Sequence, residues 1–202
     1  MTSSGAYAIR PAVEQDSGAM LEIYRPYIER GFASFEEEVP DLEEFDRRRI
    51  HYQESAPWLV ATFDERVIGY TYAAAHRGRP AYRWNRELSI YLDASFHGKG
   101  IGNALYFALL SVLKWQGYVN VLAGVALPND PSERFHEKIG MTAIGTYHHI
   151  GYKFGTYCDV RWYELFIGDK EANPAPIRSL EGYWDLADWQ LIVREALQKI
   201  SL

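Results

Sequence analysis

Apolar residues recur along this chain at two different spacings. Tyr7, Ala8 and Ile9 run into Pro11 and predict a short first strand. Ala19, Met20, Ile23, Tyr24, Tyr27 and Ile28 follow at helical spacing, with Asp16 placed to cap that helix and Gly31 to end it. Residues 32–39 keep neither period and read as an irregular segment holding Ser34 and Phe35. Pro40-Asp41 opens a second helix that runs through Phe45 and Ile50. The β-branched and aromatic run 58–63, the polar turn 64–66 and the run 67–75 predict a hairpin. An arginine-rich loop, 76–84, leads to a strand at 87–92. There Glu87, Ser89 and Tyr91 share one face and Leu88, Ile90 and Leu92 the other. Leu105, Leu109, Val112 and Leu113 mark the next helix, closed by Gly117. A strand at 118–125 follows. Pro128-Asn129-Asp130-Pro131 then feeds a helix to Gly140, with Asp130 as the expected cap and Pro131 as its first residue. Segments 142–150 and 157–167 predict a closing antiparallel pair around a Gly151/Gly155 turn. The order β-α-α-β-β-β-α-β-α-β-β defines an α/β (α+β) plan.

Asn173-Pro174-Ala175-Pro176 breaks the pattern, and 185–200 regains an amphipathic helical one. The 202 residues therefore divide into one domain, 1–170, and a linker with a helical extension, 171–202, which packs back or meets a partner. The net charge of −6 argues against a nucleic-acid backbone as partner. The opening MTSSGAYAIR has no apolar signal core, and no run approaches the ~18 apolar residues of a membrane span. With Cys158 as the single cysteine, a cytoplasmic protein without membrane association is expected. The 15 Tyr, 6 Trp and 9 Phe suit a pocket or an interface, or simply a Tyr-rich core and surface.

The chemistry concentrates in His97-Gly98-Lys99-Gly100-Ile101-Gly102, between a strand and a helix. Glycines at alternate positions let backbone N–H groups converge on an anion at a helix N-terminus, where a side chain at Gly100 would crowd a phosphate. Lys99 adds a point charge. The dinucleotide pattern GxGxxG after a first strand and the nucleotide pattern GxxxxGK[ST] are both absent. His148-His149 lacks metal-ligand spacing, and no metal is expected.

The stretches YRWNRELSIYLDASFHGKGIGNALYFALL, GVALPNDPSERFHEKIG and GTYCDVRWYEL recur in the order found in the GNAT N-acetyltransferase superfamily. The sequence most resembles its phosphinothricin and methionine sulfoximine N-acetyltransferases, over roughly residues 7–167. The resemblance implies a mixed, mostly antiparallel sheet with flanking helices and a splayed central pair of parallel strands. It implies acetyl-coenzyme A as cosubstrate, with its pantetheine arm along Ile90, Tyr91 and Leu92 and its pyrophosphate on the loop His97, Gly98, Lys99, Gly100, Ile101 and Gly102. Asn129 and Ser132 would lie beside the arm. The familiar Gln or Arg at the loop's first position is His97 here. A homodimer is also implied, with the 180–202 tail as a candidate participant.

An amine attacks a thioester only when unprotonated, so the enzyme needs a base beside the carbonyl. Glu87, at the start of the strand that would hold the cosubstrate, matches the family's glutamate base. His136 matches an active-site histidine that orders water or passes a proton. By the same resemblance Phe35, Arg77, Arg79 and Ser89 contact the acceptor. Arg77 stands where Lys is familiar, Ser89 replaces Thr, and Pro80 replaces Asn. An arginine pair before the catalytic strand suits an amino acid's carboxylate. The expected activity is acetylation of the α-amino group of a small amino acid or analogue by direct attack in a ternary complex, with no acyl-Cys158. The alternatives are a protein or peptide N-acetyltransferase and a non-catalytic coenzyme-A-binding module.

Overall fold

The hairpin read at 58–75 turns on Asp64 and Glu65, both at positive φ (48° and 64°). That is the two-residue turn whose twist matches its flanking strands. The computed structural model describes residues 5–201. Seven strands form one sheet: β1 Tyr7–Pro11, β2 Trp58–Phe63, β3 Arg66–Ala75, β4 Asn85–Leu92, β5 Asn120–Ala126, β6 Thr142–Lys153 and β7 Thr156–Phe166. Their spatial order is β1-β2-β3-β4-β5-β7-β6, and every neighbouring pair is antiparallel except β4 with β5. Five helices flank it: α1 Ser17–Glu29, α2 Leu42–Gln53, α3 Ile101–Gln116, α4 Asp130–Lys138 and α5 Ala187–Leu197. The mixed sheet and its flanking helices are those the sequence order predicts.

Alternation along the strands feeds a separate core on each face. Leu59, Ala61 and Leu88 pack with α3 residues such as Leu105 and Val112. Trp58 and Val60 pack with α1 and α2 residues Met20, Ile28 and Phe45. The extension joins the first of these. Tyr183, Trp189 and Ala196 are buried against α3, so its apolar face is spent on its own chain. Ser201 N–H then donates to the Lys99 carbonyl at 2.9 Å.

Three local readings change. Asp16 precedes α1 but makes no cap bond to it. Burial would raise the Asp16 carboxyl, but the Arg10 guanidinium holds its carboxylate at 2.6 and 2.8 Å and it also accepts the Val13 N–H, which together keep it below its ordinary value. On α4 the cap is Asn129, not Asp130: Asn129 has non-helical φ and ψ and accepts the Ser132 N–H, and Asp130 is already in the first turn. The closing hairpin turns at Phe154-Gly155, while Gly151 lies within β6 opposite Cys158. A bulge between Tyr147 and Gly151, with His149 at φ 53°, lengthens that strand beyond the predicted pair.

Candidate active site

The parallel strands β4 and β5 pair over only three positions, Asn85↔Asn120, Arg86↔Val121 and Glu87↔Leu122. Beyond Glu87 they separate, because β4 follows β3 through Leu92 and β5 follows β7. The gap opens into a cleft of about 1080 Å³. Asp93 N–H donates to Ile68 on β3, so alternation turns the backbone of Leu92 and Ile90 toward the gap and that of Tyr91 away from it. The Tyr27 hydroxyl already meets both backbone groups of Leu92, donating to its carbonyl at 2.7 Å. Of the expected three-residue strip, Ile90 is left with its backbone on the gap.

Ile90, Tyr91, Leu92, His97, Gly98, Gly100, Ile101, Gly102, Asn129 and Ser132 all border the cleft. Lys99 does not border it; its ammonium sits 4.7 Å from the Phe96 ring centre. Gly98 and Gly100 have φ of 77° and 81°, which glycine alone adopts without strain. A Cβ on Gly98 would meet open space. A Cβ on Gly100 would lie 2.1 Å from the Lys199 carbonyl oxygen, so the extension leaves no room for a side chain there. His97 Nε2 lies 3.2 Å from the Tyr27 hydroxyl.

Glu87 also faces the cleft, at the last paired position of β4. His76 Nδ1 donates to its carboxylate at 3.2 Å, and Trp162 packs edge-on to His76. The Trp162 indole N–H is buried without a partner and belongs to a cleft-lining residue. His136 enters from α4, only 4% exposed. Its Nδ1 lies 2.7 Å from the Ser132 carbonyl, which only accepts, so Nδ1 carries the proton and Nε2 accepts from the Tyr106 hydroxyl at 3.3 Å. Burial holds this imidazole below the ordinary 6.5. The unfolded chain therefore takes up a proton at His136 that the folded protein resists. The fold loses stability as pH falls from 6.5 toward the lower folded value, and keeps the full contribution above 6.5. Denaturant titrations between pH 5 and 7.5 will show a smaller acid loss in His136→Gln than in the wild type. Equal losses would mean that His136 protonates as readily folded as unfolded.

A family model described as an acetyltransferase (GNAT) domain matches residues 9–162. The chain belongs to the GNAT acetyltransferase family. Phosphinothricin N-acetyltransferase of Streptomyces viridochromogenes is 37% identical over 170 residues, covering 84% of this chain and 92% of that one. An L-methionine sulfoximine/L-methionine sulfone acetyltransferase of Salmonella typhimurium is 28% identical, over 82% of this chain and 97% of that one. Among solved structures, a GNAT phosphinothricin acetyltransferase from Sinorhizobium meliloti in complex with acetyl-coenzyme A superposes with a TM-score of 0.79. It is 33% identical and covers 86% of this chain and 94% of that one. The present chain is accordingly an acetyltransferase, with acetyl-coenzyme A as the acetyl donor.

The GNAT cleft fits that donor: a split strand pair, a free strand edge at Ile90 and a glycine loop at a helix start all open on it. Ser89 and Phe35 border the same cleft. The Phe35 ring packs so closely on Gly151 that a Cβ there would lie 2.0 Å from it. Lys153, 3% exposed, donates to the carbonyls of Ile28 and Ser34 at 2.6 and 2.7 Å and pins the segment that carries Phe35. Arg77 and Arg79 are not brought to the cleft; both border a second cavity. Sequence reasoning missed His76, Tyr106, Trp162 and Lys153. Neither His76 nor Lys153 carried a signal, since each meets its partner only through strand register or long-range packing. Burial pushes the Cys158 thiol above its ordinary range, and it donates to the Leu127 carbonyl at 3.1 Å. His148 pairs with Asp159. No helix among the described residues is long and apolar enough to cross a membrane.

Proposed function

We propose that this GNAT enzyme acetylates the α-amino group of a small amino acid or analogue, such as phosphinothricin, methionine sulfoximine or methionine sulfone. The observation that carries the reading is the position of Glu87: β4 and β5 stop pairing at this residue, and its carboxylate faces the cleft that opens there. The Gly98–Gly102 backbone holds the donor's pyrophosphate, with Ile90, Asn129 and Ser132 along its arm. Glu87 takes the amine proton directly or through water while His76 orients it. The nitrogen then attacks the thioester carbonyl, the C–N bond forms and the C–S bond breaks, and the proton the nitrogen sheds on becoming an amide goes to the departing thiolate to give the free thiol. His136, neutral and facing Tyr106, orders water or passes a proton. Ser89 and Phe35 shape the acceptor side. The carboxylate clamp expected of Arg77 and Arg79 has no support in their position, and the mechanism does not use it.

Names of the relatives support an amino-acid analogue as acceptor. A mass-spectrometric screen of free amino acids, phosphinothricin and methionine sulfoximine with acetyl-coenzyme A, run beside a peptide set, tests it. Acetylation of peptides but of no free amino acid would reject the reading. Cytoplasmic residence belongs to the same proposal.

The enzyme is also proposed to be a homodimer. Ile144, Tyr147, Ile150, Tyr152, Phe154 and Tyr157 are exposed on the β6–β7 hairpin, and β6 is a sheet edge. An apolar edge of this kind favours pairing with a second copy. The tail, its apolar face already buried, is not needed for that contact. Light scattering at micromolar concentration will give twice the chain mass of 23.2 kDa. Ile150→Glu with Tyr152→Glu will give the single mass, and a wild-type monomer would refute the assignment.

A further inference from the structure

Five arginines border a second cavity, of about 470 Å³: Arg77, Arg79 and Arg83 from the loop before β4, Arg86 from β4, and Arg178 from the extension. None of the five forms an ion pair among the described residues, whereas eight of the other arginines do. The one carboxylate at this cavity, Glu54, is exposed and lies 3.5 Å from His51. A chain of net charge −6 thus gathers five unpaired guanidinium groups around a single hollow.

Arg86 sits deepest, 9% exposed. One of its terminal nitrogens donates to the Tyr118 hydroxyl, and its guanidinium carbon lies 4.6 Å from the Tyr118 ring centre. Its Nε is buried with no hydrogen-bond partner. A buried cation without a counter-charge, and with an unmet donor, is costly to keep. Gln116 Oε1, at the same cavity, is a buried acceptor without a partner. The Gln116 amide N–H groups hold the Ser55 and Arg178 carbonyls, at 3.1 and 3.0 Å, and so fasten the extension to the cavity wall.

We propose that this cavity is a binding site for a small oxyanion of two or more charges that also carries an O–H group. The oxyanion oxygens meet Arg86 Nε and the flanking guanidinium forks, and the O–H meets Gln116 Oε1. The site is separate from the catalytic cleft. Arg86 and Glu87 are adjacent in β4, so their side chains leave the sheet on opposite faces. Arg178 lies outside the 9–162 match, so the site belongs to this chain's junction with its extension and not to the matched domain alone. Phosphate and hydroxycarboxylate groups share the required chemistry.

Calorimetry on the full chain saturated with coenzyme A, which fills the phosphate-binding loop, separates these sources. Inorganic phosphate is titrated in one arm and citrate in the other. One saturable site appears in at least one arm, and the arm that binds names the group. Arg83 and Arg178 are exposed, so Arg83→Ser with Arg178→Ser keeps the fold, checked by thermal melting. This variant binds about tenfold more weakly or worse, because charge-assisted contacts are lost. Its KM for acetyl-coenzyme A stays unchanged. No saturable heat in either arm up to millimolar anion, or unchanged affinity in the variant, would overturn the proposal. The variant decides the location whether or not coenzyme A binds.

Discussion

Glu87→Gln lowers kcat for acetyl transfer by about 10²- to 10⁴-fold, the usual contribution of a general base. Glutamine keeps the size of the side chain and an oxygen to accept from His76, which lies 3.2 Å from the carboxylate in the native protein. It cannot take the amine proton. In the proposed binding mode the donor is held by the Ile90 edge and the 98–102 backbone, which the substitution does not touch, so coenzyme A affinity stays nearly unchanged. The deficit shrinks as pH rises, because more acceptor reaches the cleft already unprotonated. Profiles of kcat/KM against pH for both proteins, with single-turnover rates, measure this directly. Near-wild-type single-turnover chemistry in Glu87→Gln at every pH would remove Glu87 as the base and leave His136 as the next group to examine.

Gly100→Val has the second large effect, on stability. Residue 100 has φ 81°, and a left-handed backbone costs a β-branched residue about 1–2 kcal/mol. Its Cβ would also stand 2.1 Å from the Lys199 carbonyl oxygen, a backbone atom that moves only with the extension. Displacing that segment brings the total to about 3 kcal/mol. For a chain of this size the melting temperature falls by roughly 6–12 °C. In a chain cut after Gln198 the struck carbonyl is gone and only the backbone strain remains, so the same substitution costs about half as much. An equal cost in both backgrounds would show that the extension does not bear on the loop. Gly98→Ala is the control. Its φ of 77° is similar but its Cβ meets open space, and it costs about 1 kcal/mol.

The order of elements was legible because each carries its own signal: β-branched and aromatic content at 58–63, alternation at 87–92, helical spacing at 101–116. The cleft was legible because strand, glycine loop and helix are contiguous, and Glu87 and His136 each lie a few residues from a landmark. What pairs with what was not. His76 meets Glu87 through the β3–β4 pairing, where Ala74↔Glu87 are partners, and a single strand's pattern does not give register. Lys153 reaches the Ser34 carbonyl across 119 residues of chain. Arg77 and Arg79 look apt for the acceptor in one dimension, but their loop leads them to the other cavity, where Arg178 of the extension completes the ring. The α4 cap erred by one residue for a local reason: Asn129 and Asp130 are both good caps, and backbone angles at Asn129 decide between them.

The hydrogen bond from Ser201 to the Lys99 carbonyl has a practical side. An affinity tag joined beyond Ser201 starts beside the glycine loop at the mouth of the cleft. Its first residues are tethered there at high local concentration, and an acidic or histidine-rich tag would compete with the donor's phosphates for room and charge. A tag ahead of Gly5 leads instead into β1, the sheet edge opposite β6. Kinetic comparisons of this enzyme therefore belong on N-terminally tagged or cleaved protein, and a higher KM for acetyl-coenzyme A with a C-terminal tag is a property of the tag.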